Sequence, residues 1–173
     1  MARRRTVPMR PRRKRQWYRE TVSATVLSSN SSTTLLTLNE SEITGAGFGD
    51  PTLVRIRGVW RASLAAGTAF STLYTTGIIV VQEGVDPEDV LSAGGPSTAQ
   101  SRQNWLWYRQ VALSNVSASS VEQCGANYDH VELDIRAMRV IRGTQKVIWV
   151  VTNHRDAAAD ITVSPNWSIL LQE

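Results

Sequence analysis

From Trp17 onward the chain is a series of short segments rich in Val, Ile, Thr and Leu, separated by turn clusters at fairly regular intervals. The three-to-four-residue rhythm of amphipathic helices is nearly absent. This pattern predicts eight strands, at 21–27, 33–38, 52–64, 73–82, 105–113, 131–141, 145–153 and 161–171. Turn signals fall between them at 28–32, 45–51, 94–96, 114–120 and 142–144, each rich in Gly, Ser, Asn or Pro. Eight strands in one domain point to a sandwich or a barrel.

Several segments say which faces are buried. Val54, Ile56, Gly58 and Trp60 fall on one face of their strand and Arg55, Arg57 and Arg61 on the other, so it should be half-buried with a basic outer stripe. Residues 147–151 are apolar on both faces, which predicts a central strand covered on two sides or set against another subunit. Val131, Leu133 and Ile135 alternate with Glu132, Asp134 and Arg136 until the apolar phase slips at Ala137 and Met138, where a β-bulge is expected. Simple alternation puts Trp105 and Trp107 on one face and Leu106 and Tyr108 on the other. Those tryptophans either fill a large-residue core or face another copy of the chain, where Trp, Tyr and Arg are favoured. One short helix is predicted at 86–91, with Asp86 as cap, Pro87 in the first turn and Glu88 and Asp89 near the positive end of the dipole.

Charge adds what the hydrophobic pattern cannot. The 173 residues carry a formal net charge of +4, but residues 1–19 hold nine bases and no acid: Arg3, Arg4, Arg5, Arg10, Arg12, Arg13, Lys14, Arg15 and Arg19. The remainder carries ten bases against fifteen acids, a net of −5. Residues 1–16 offer little to bury, Pro8 and Pro11 interrupt any helix, and like charges repel. The chain therefore divides into a disordered arm, 1–19, and a folded domain, 20–173. Extended, the arm reaches roughly 60–70 Å. Arginines fork onto phosphates and binding releases condensed counterions, so the arm is expected to bind nucleic acid without reading its sequence. A nuclear import signal is compatible with that use. No apolar run approaches the ~18 residues that span a bilayer, and an arginine string is not a secretory leader. Neither membrane association nor secretion is expected.

Candidate chemistry is sparse. His130, His154 and the single cysteine, Cys124, show no zinc-type spacing, and a lone thiol is usually inert. Gly45, Gly47 and Gly49 lack the strand-to-helix context of a dinucleotide fingerprint, and there is no Gly-Lys-Ser/Thr phosphate loop. Asp86, Glu88 and Asp89 lack EF-hand spacing and are equally explained as helix-capping carboxylates. No catalytic residue, metal or cofactor is assigned.

The basic arm, then Val54-Arg55-Ile56-Arg57-Gly58-Val59-Trp60, Gly77-Ile78-Ile79-Val80-Val81, Asn104-Trp105-Leu106-Trp107, the run from Val131 to Arg139 and the apolar strand through Trp149 together resemble a known family. It is that of the small single jelly-roll capsid proteins of circular single-stranded DNA (circovirus-like) viruses; the chain is also similar in size and layout to satellite-virus coat proteins. The resemblance implies an all-β, eight-stranded antiparallel jelly-roll sandwich, without enzymatic activity, whose copies close an icosahedral shell of sixty subunits (T=1) in the smallest case. It implies an arm that points inward and condenses the viral genome, single-stranded DNA being favoured over RNA. It also implies residence in the virion and, during assembly, the host nucleus, with a nuclear import receptor as a further partner. Sixty arms of nine bases would bring roughly 540 positive charges to the phosphates. Arg55, Arg57 and Arg61 then either extend the inner basic surface or pair with carboxylates on a neighbour. The alternatives are a cellular nucleic-acid-binding β-domain with a basic tail, which a body of −5 argues against, and a cupin-like enzyme, which two histidines 24 positions apart serve poorly.

Overall fold

In the computed structural model the described residues are 13–28, 31–38, 49–64, 72–82, 84, 105–114, 128–142, 144–154 and 160–173. The first twelve residues, the helix expected at 86–91 and Cys124 lie outside them. The described residues form ten strands: β1 (Arg15–Thr21), β2 (Thr25–Leu27), β3 (Ser31–Leu38), β4 (Thr52–Leu64), β5 (Thr72–Gln82), β6 (Trp105–Leu113), β7 (Tyr128–Val140), β8 (Gln145–Asn153), β9 (Ile161–Val163) and β10 (Asn166–Gln172).

Ten strands reduce to the expected eight once two interruptions are understood. Pro165 has no N–H to give to a ladder, so the segment expected at 161–171 breaks into β9 and β10. Residues 22–24 interrupt the neighbouring run at the same level, between β1 and β2. The gap is bridged by backbone hydrogen bonds: Val22 N–H donates to the Pro165 carbonyl (3.2 Å) and Ser164 N–H to the Arg61 carbonyl (2.9 Å).

Every strand pair is antiparallel. One sheet runs β1/β2, β9/β10, β4, β7; the other runs β3, β8, β5, β6. Counted along the chain with the broken pairs merged, these are strands 1-8-3-6 and 2-7-4-5. That interleaving of early and late strands is a jelly roll, two Greek keys wrapped into a sandwich.

The core between the sheets is built on tryptophan. Trp60 of β4 stacks on Trp149 of β8 (centroids 5.7 Å apart, planes at 26°), while Trp107 meets Trp149 edge-on at 5.7 Å and Trp167 approaches it at 6.1 Å. Indole nitrogens cannot be left unbonded in such a place. Trp149 Nε1 donates to Thr76 Oγ1 (3.0 Å), Trp60 Nε1 to the Tyr74 hydroxyl (2.9 Å) and Trp167 Nε1 to Glu20 Oε2 (3.3 Å). Gly58 makes room for this cluster: a Cβ there would sit 2.4 Å from the Asn166 carbonyl and 3.4 Å from the Trp149 ring.

Two face assignments change. The bulge at Ala137 and Met138 is present, with two β7 residues opposite one of β4, and Met138 takes φ of 45°. Its counterpart is Val54, an extra residue relative to β10; Leu53 therefore turns inward and is fully buried, in the place alternation gave to Val54. A second irregularity sets Trp107 opposite Ile78 but Trp105 opposite Ile79, skipping Leu106. Trp105 and Trp107 consequently lie on opposite faces, correcting the shared face that simple alternation predicts. Trp107 joins the core, and Trp105 covers Gly77 on the far side of the sheet, with Tyr108 edge-on at 5.2 Å. β8 is central, as its two apolar faces require. Its second face is buried within the chain itself, Ile148 and Val150 packing with Ile79 and Val81.

Candidate nucleic-acid interface

The arm proves shorter than its charge suggests. Arg15–Thr21 is β1, paired along its whole length with β10, and Glu173 N–H donates to the Lys14 carbonyl just before it (3.0 Å). This corrects the boundary at 19, and the cause is legible in side-chain parity. Tyr18 packs on the core and Glu20 accepts from Trp167, while Arg15, Trp17 and Arg19 point outward. A segment read as uniformly basic is thus a half-buried edge strand. Arg13 and Lys14 precede it; Arg3, Arg4, Arg5, Arg10 and Arg12 lie outside the described residues.

Register then sets which basic residues share a surface. Arg19 is level with Ser168 and Arg57, and Trp17 with Leu170 and Arg55. On the far side of β4, Arg57 is level with Asp134, Arg55 with Arg136 and Arg61 with His130. Among the described residues, the outward face of this sheet therefore gathers Arg15, Arg19, Arg55, Arg57, Arg61 and Arg136 against two carboxylates, Glu132 and Asp134. Arg55 grips Asp134 with a bidentate ion pair, and Arg57 Nε lies 3.9 Å from the same carboxylate. The hydrogen bonds from Arg55 hold the Asp134 carboxyl below its ordinary range, and those from Asp134 raise the Arg55 guanidinium. Arg55 is paired with a carboxylate of its own chain, which is neither of the two roles expected for the arginine stripe. Arg57 also lies over Trp17, its guanidinium carbon 5.8 Å from the ring centroid. An open cavity of about 500 Å³ adjoins this spot, bordered by Arg57, Val59, Glu132, Asp134, Asn166 and Ser168.

A second charged cluster lies inside the sandwich. Asp129 of β7 is 7% exposed and receives Arg109 Nε at 2.8 Å, a second Arg109 nitrogen at 2.6 Å, and the Tyr74 hydroxyl, which in turn accepts from Trp60. Burial works to raise the Asp129 carboxyl, but the hydrogen bonds from Arg109 and Tyr74 outweigh it and the net displacement is downward. Burial, then the bond to Asp129, pushes the Tyr74 phenol up. The four residues come from β4, β5, β6 and β7, two strands of each sheet, so the cluster is a cross-sheet tie. The sequence does not reveal it because its bonded pairs are 14 to 55 positions apart and none belongs to a motif.

The histidines stay apart. His130 Nδ1 bonds the Tyr128 hydroxyl at 2.9 Å and His154 Nε2 bonds Thr75 Oγ1 at 2.6 Å, burial lowering the His154 imidazole. Among the described residues no three His, Cys, Asp or Glu side chains are grouped to hold a metal, and no helix is long and apolar enough to cross a membrane.

No protein-family model and no curated protein sequence matches the chain. Solved structures similar to it include Desmodium yellow mottle tymovirus, at 10% identity and a TM-score of 0.42, covering 100% of this chain and 95% of that one. The giant freshwater prawn Macrobrachium rosenbergii nodavirus semi-empty VLP is similar at 11% identity and a TM-score of 0.44, covering 99% and 92%. The infectious bursal disease virus VP2 subviral particle is similar at 10% identity and a TM-score of 0.44; the match covers 95% of this chain but only 36% of that longer one.

Proposed function

We propose that the protein is a viral capsid protein whose copies close a small icosahedral shell, sixty in number, around a single-stranded nucleic-acid genome. The observation that carries this reading is a jelly roll whose first strand continues directly from an arginine-rich arm and turns a basic face outward, while the rest of the chain is net acidic. That separation of charge suits a subunit that meets copies of itself through a body of −5 and meets a polyanion through its basic end. The resemblance drawn from the sequence favours DNA over RNA, and the arm would double as an import signal in the host nucleus.

A second reading, a monomeric nucleic-acid-binding protein, draws on one observation: Trp17 is 40% exposed among arginines, as a base-stacking residue would be. Particle size decides between them. Purified full-length protein, with and without single-stranded DNA, is expected to give uniform closed shells by electron microscopy and light scattering. A monomer across a range of salt and pH would overturn the capsid reading and leave the second.

A further inference from the structure

We propose that the outward face of the β1–β10–β4 sheet is a binding surface for single-stranded nucleic acid, with Trp17 as a base-stacking platform and Arg15, Arg19, Arg57 and Arg61 as phosphate contacts. The proposal deepens the reading above by naming a site on the folded domain, distinct from the arm, for the same polyanion.

The geometry is that of a trough. β1 forms one bank, with Arg15, Trp17 and Arg19 on alternate positions about 7 Å apart. β4 forms the other with Arg55, Arg57 and Arg61, two strand spacings or about 10 Å across. The floor between them is β10, whose outward residues Gln172, Leu170, Ser168 and Asn166 carry no charge. The two acidic residues of this face stand beyond the β4 bank, on β7, and Asp134 is engaged by Arg55. A negative chain laid along the floor would meet arginines on both sides.

Trp17 makes the choice of ligand. Trp17 lies on a charged strand surface, 40% exposed, with the Arg57 guanidinium carbon 5.8 Å from its ring centroid. An exposed indole flanked by cations accepts an unpaired base by stacking, with the cations holding the adjoining phosphates. A duplex hides its base faces within its own stack and could use only the arginines.

The test uses the full chain, fluorescence anisotropy of a labelled oligothymidylate, and the same titration with a duplex of equal length and with inorganic polyphosphate, each over a salt series. Trp17→Ala is expected to weaken oligothymidylate binding by roughly tenfold at every salt concentration. It should leave duplex and polyphosphate affinities unchanged, and Trp17→Phe should restore most of the loss. Arg19→Gln and Arg57→Gln are each expected to reduce the salt slope for the single strand by about 0.7. Equal losses for oligothymidylate and polyphosphate in Trp17→Ala, or no loss for either, would overturn the proposal. Shell formation by Trp17→Ala is scored separately by electron microscopy. Shells that form while binding ignores Trp17 defeat this site alone, whereas absence of shells in the unsubstituted protein defeats the capsid reading.

Discussion

Replacing Asp129 with alanine should be among the most damaging single changes in the described part of the molecule. The substitution removes the one carboxylate to which Arg109 gives two hydrogen bonds and to which the buried Tyr74 hydroxyl donates. A buried ion pair broken on one side costs about 3–5 kcal/mol because a charge is left without compensation. Here Arg109 is 37% exposed, so water can reach its guanidinium and the lower part of that range applies. The Tyr74 side chain is fully buried and its hydroxyl would lose the acceptor of its proton while keeping the bond from Trp60, which adds a share of the ~1–3 kcal/mol expected for an orphaned polar group. Together the loss is about 3–4 kcal/mol. At roughly 2–4 °C per kcal/mol for a chain of this size, Tm falls by on the order of 10 °C.

The measurement is chemical denaturation of unassembled protein at fixed concentration, because association would otherwise stabilise the folded form by mass action. A cycle with Arg109→Met isolates the pairwise part, expected at about 1–3 kcal/mol. The pH dependence supplies an independent check. The native carboxyl of Asp129 is held below its unfolded value of about 3.9, so its contribution is complete above that value and is lost as pH falls through the lower native one. The unsubstituted protein should therefore lose stability below about pH 4, and Asp129→Asn should flatten that part of the curve. If Asp129→Ala unfolds within about 0.5 kcal/mol of the unsubstituted protein, the cross-sheet tie has no energetic role and the reasoning is refuted.

Gly58→Ala should lower stability by about 2 kcal/mol or more in thermal melts, because the new methyl meets the Asn166 backbone carbonyl at 2.4 Å and neither side can yield cheaply. Gly77→Ala should be comparably damaging, since its Cβ would lie 2.0 Å from the Trp105 ring; the change should also alter Trp105 emission. Met138→Gly should leave stability unchanged or raise it by up to about 1 kcal/mol, whereas Met138→Val should lower it, because the bulge demands a positive φ and the side chain is 71% exposed. Charge reversal of Arg61 should leave shell assembly intact and reduce packaged nucleic acid, read as the ratio of absorbance at 260 and 280 nm; a loss of shells with normal binding would assign the residue to a subunit interface.

Much of the fold was legible because alternation and turn chemistry are local. The bounds of β4, β6 and β8 follow from where alternation and turns begin and end, and the bulge at Ala137 and Met138 follows from a slip in apolar phase. The errors arose where parity is reset by something outside the strand. Trp105 and Trp107 sit two positions apart, which on a regular strand means one face, but the irregularity opposite Ile78 and Ile79 turns one of them over. Only the partner strand records that, and the partner lies nearly thirty positions away. Gly77, small enough to lie under an indole, is the one local sign that a large side chain crosses this part of the sheet.

The arm illustrates a different failure, in which one true inference masks another. Taken as a block, the nine bases without an acid in residues 1–19 point to disorder. Read instead by parity, Arg15, Trp17 and Arg19 alternate with Gln16, Tyr18 and Glu20, a basic face backed by one that holds an aromatic and the first carboxylate of the chain. Glu20 receives the Trp167 indole and Tyr18 joins the core, so the inward face supplies the burial that the charge count denied. The strand in turn fixes three outward residues against Arg55 and Arg57 through a shared partner, β10. Charges held on a sheet have fixed distances and can select among ligands, whereas a count of charges alone sets only the strength and salt dependence of polyanion binding. That difference separates the salt-dependent binding expected of residues before 13 from the base-dependent binding proposed at Trp17, and it is why the two should respond differently to the same substitutions.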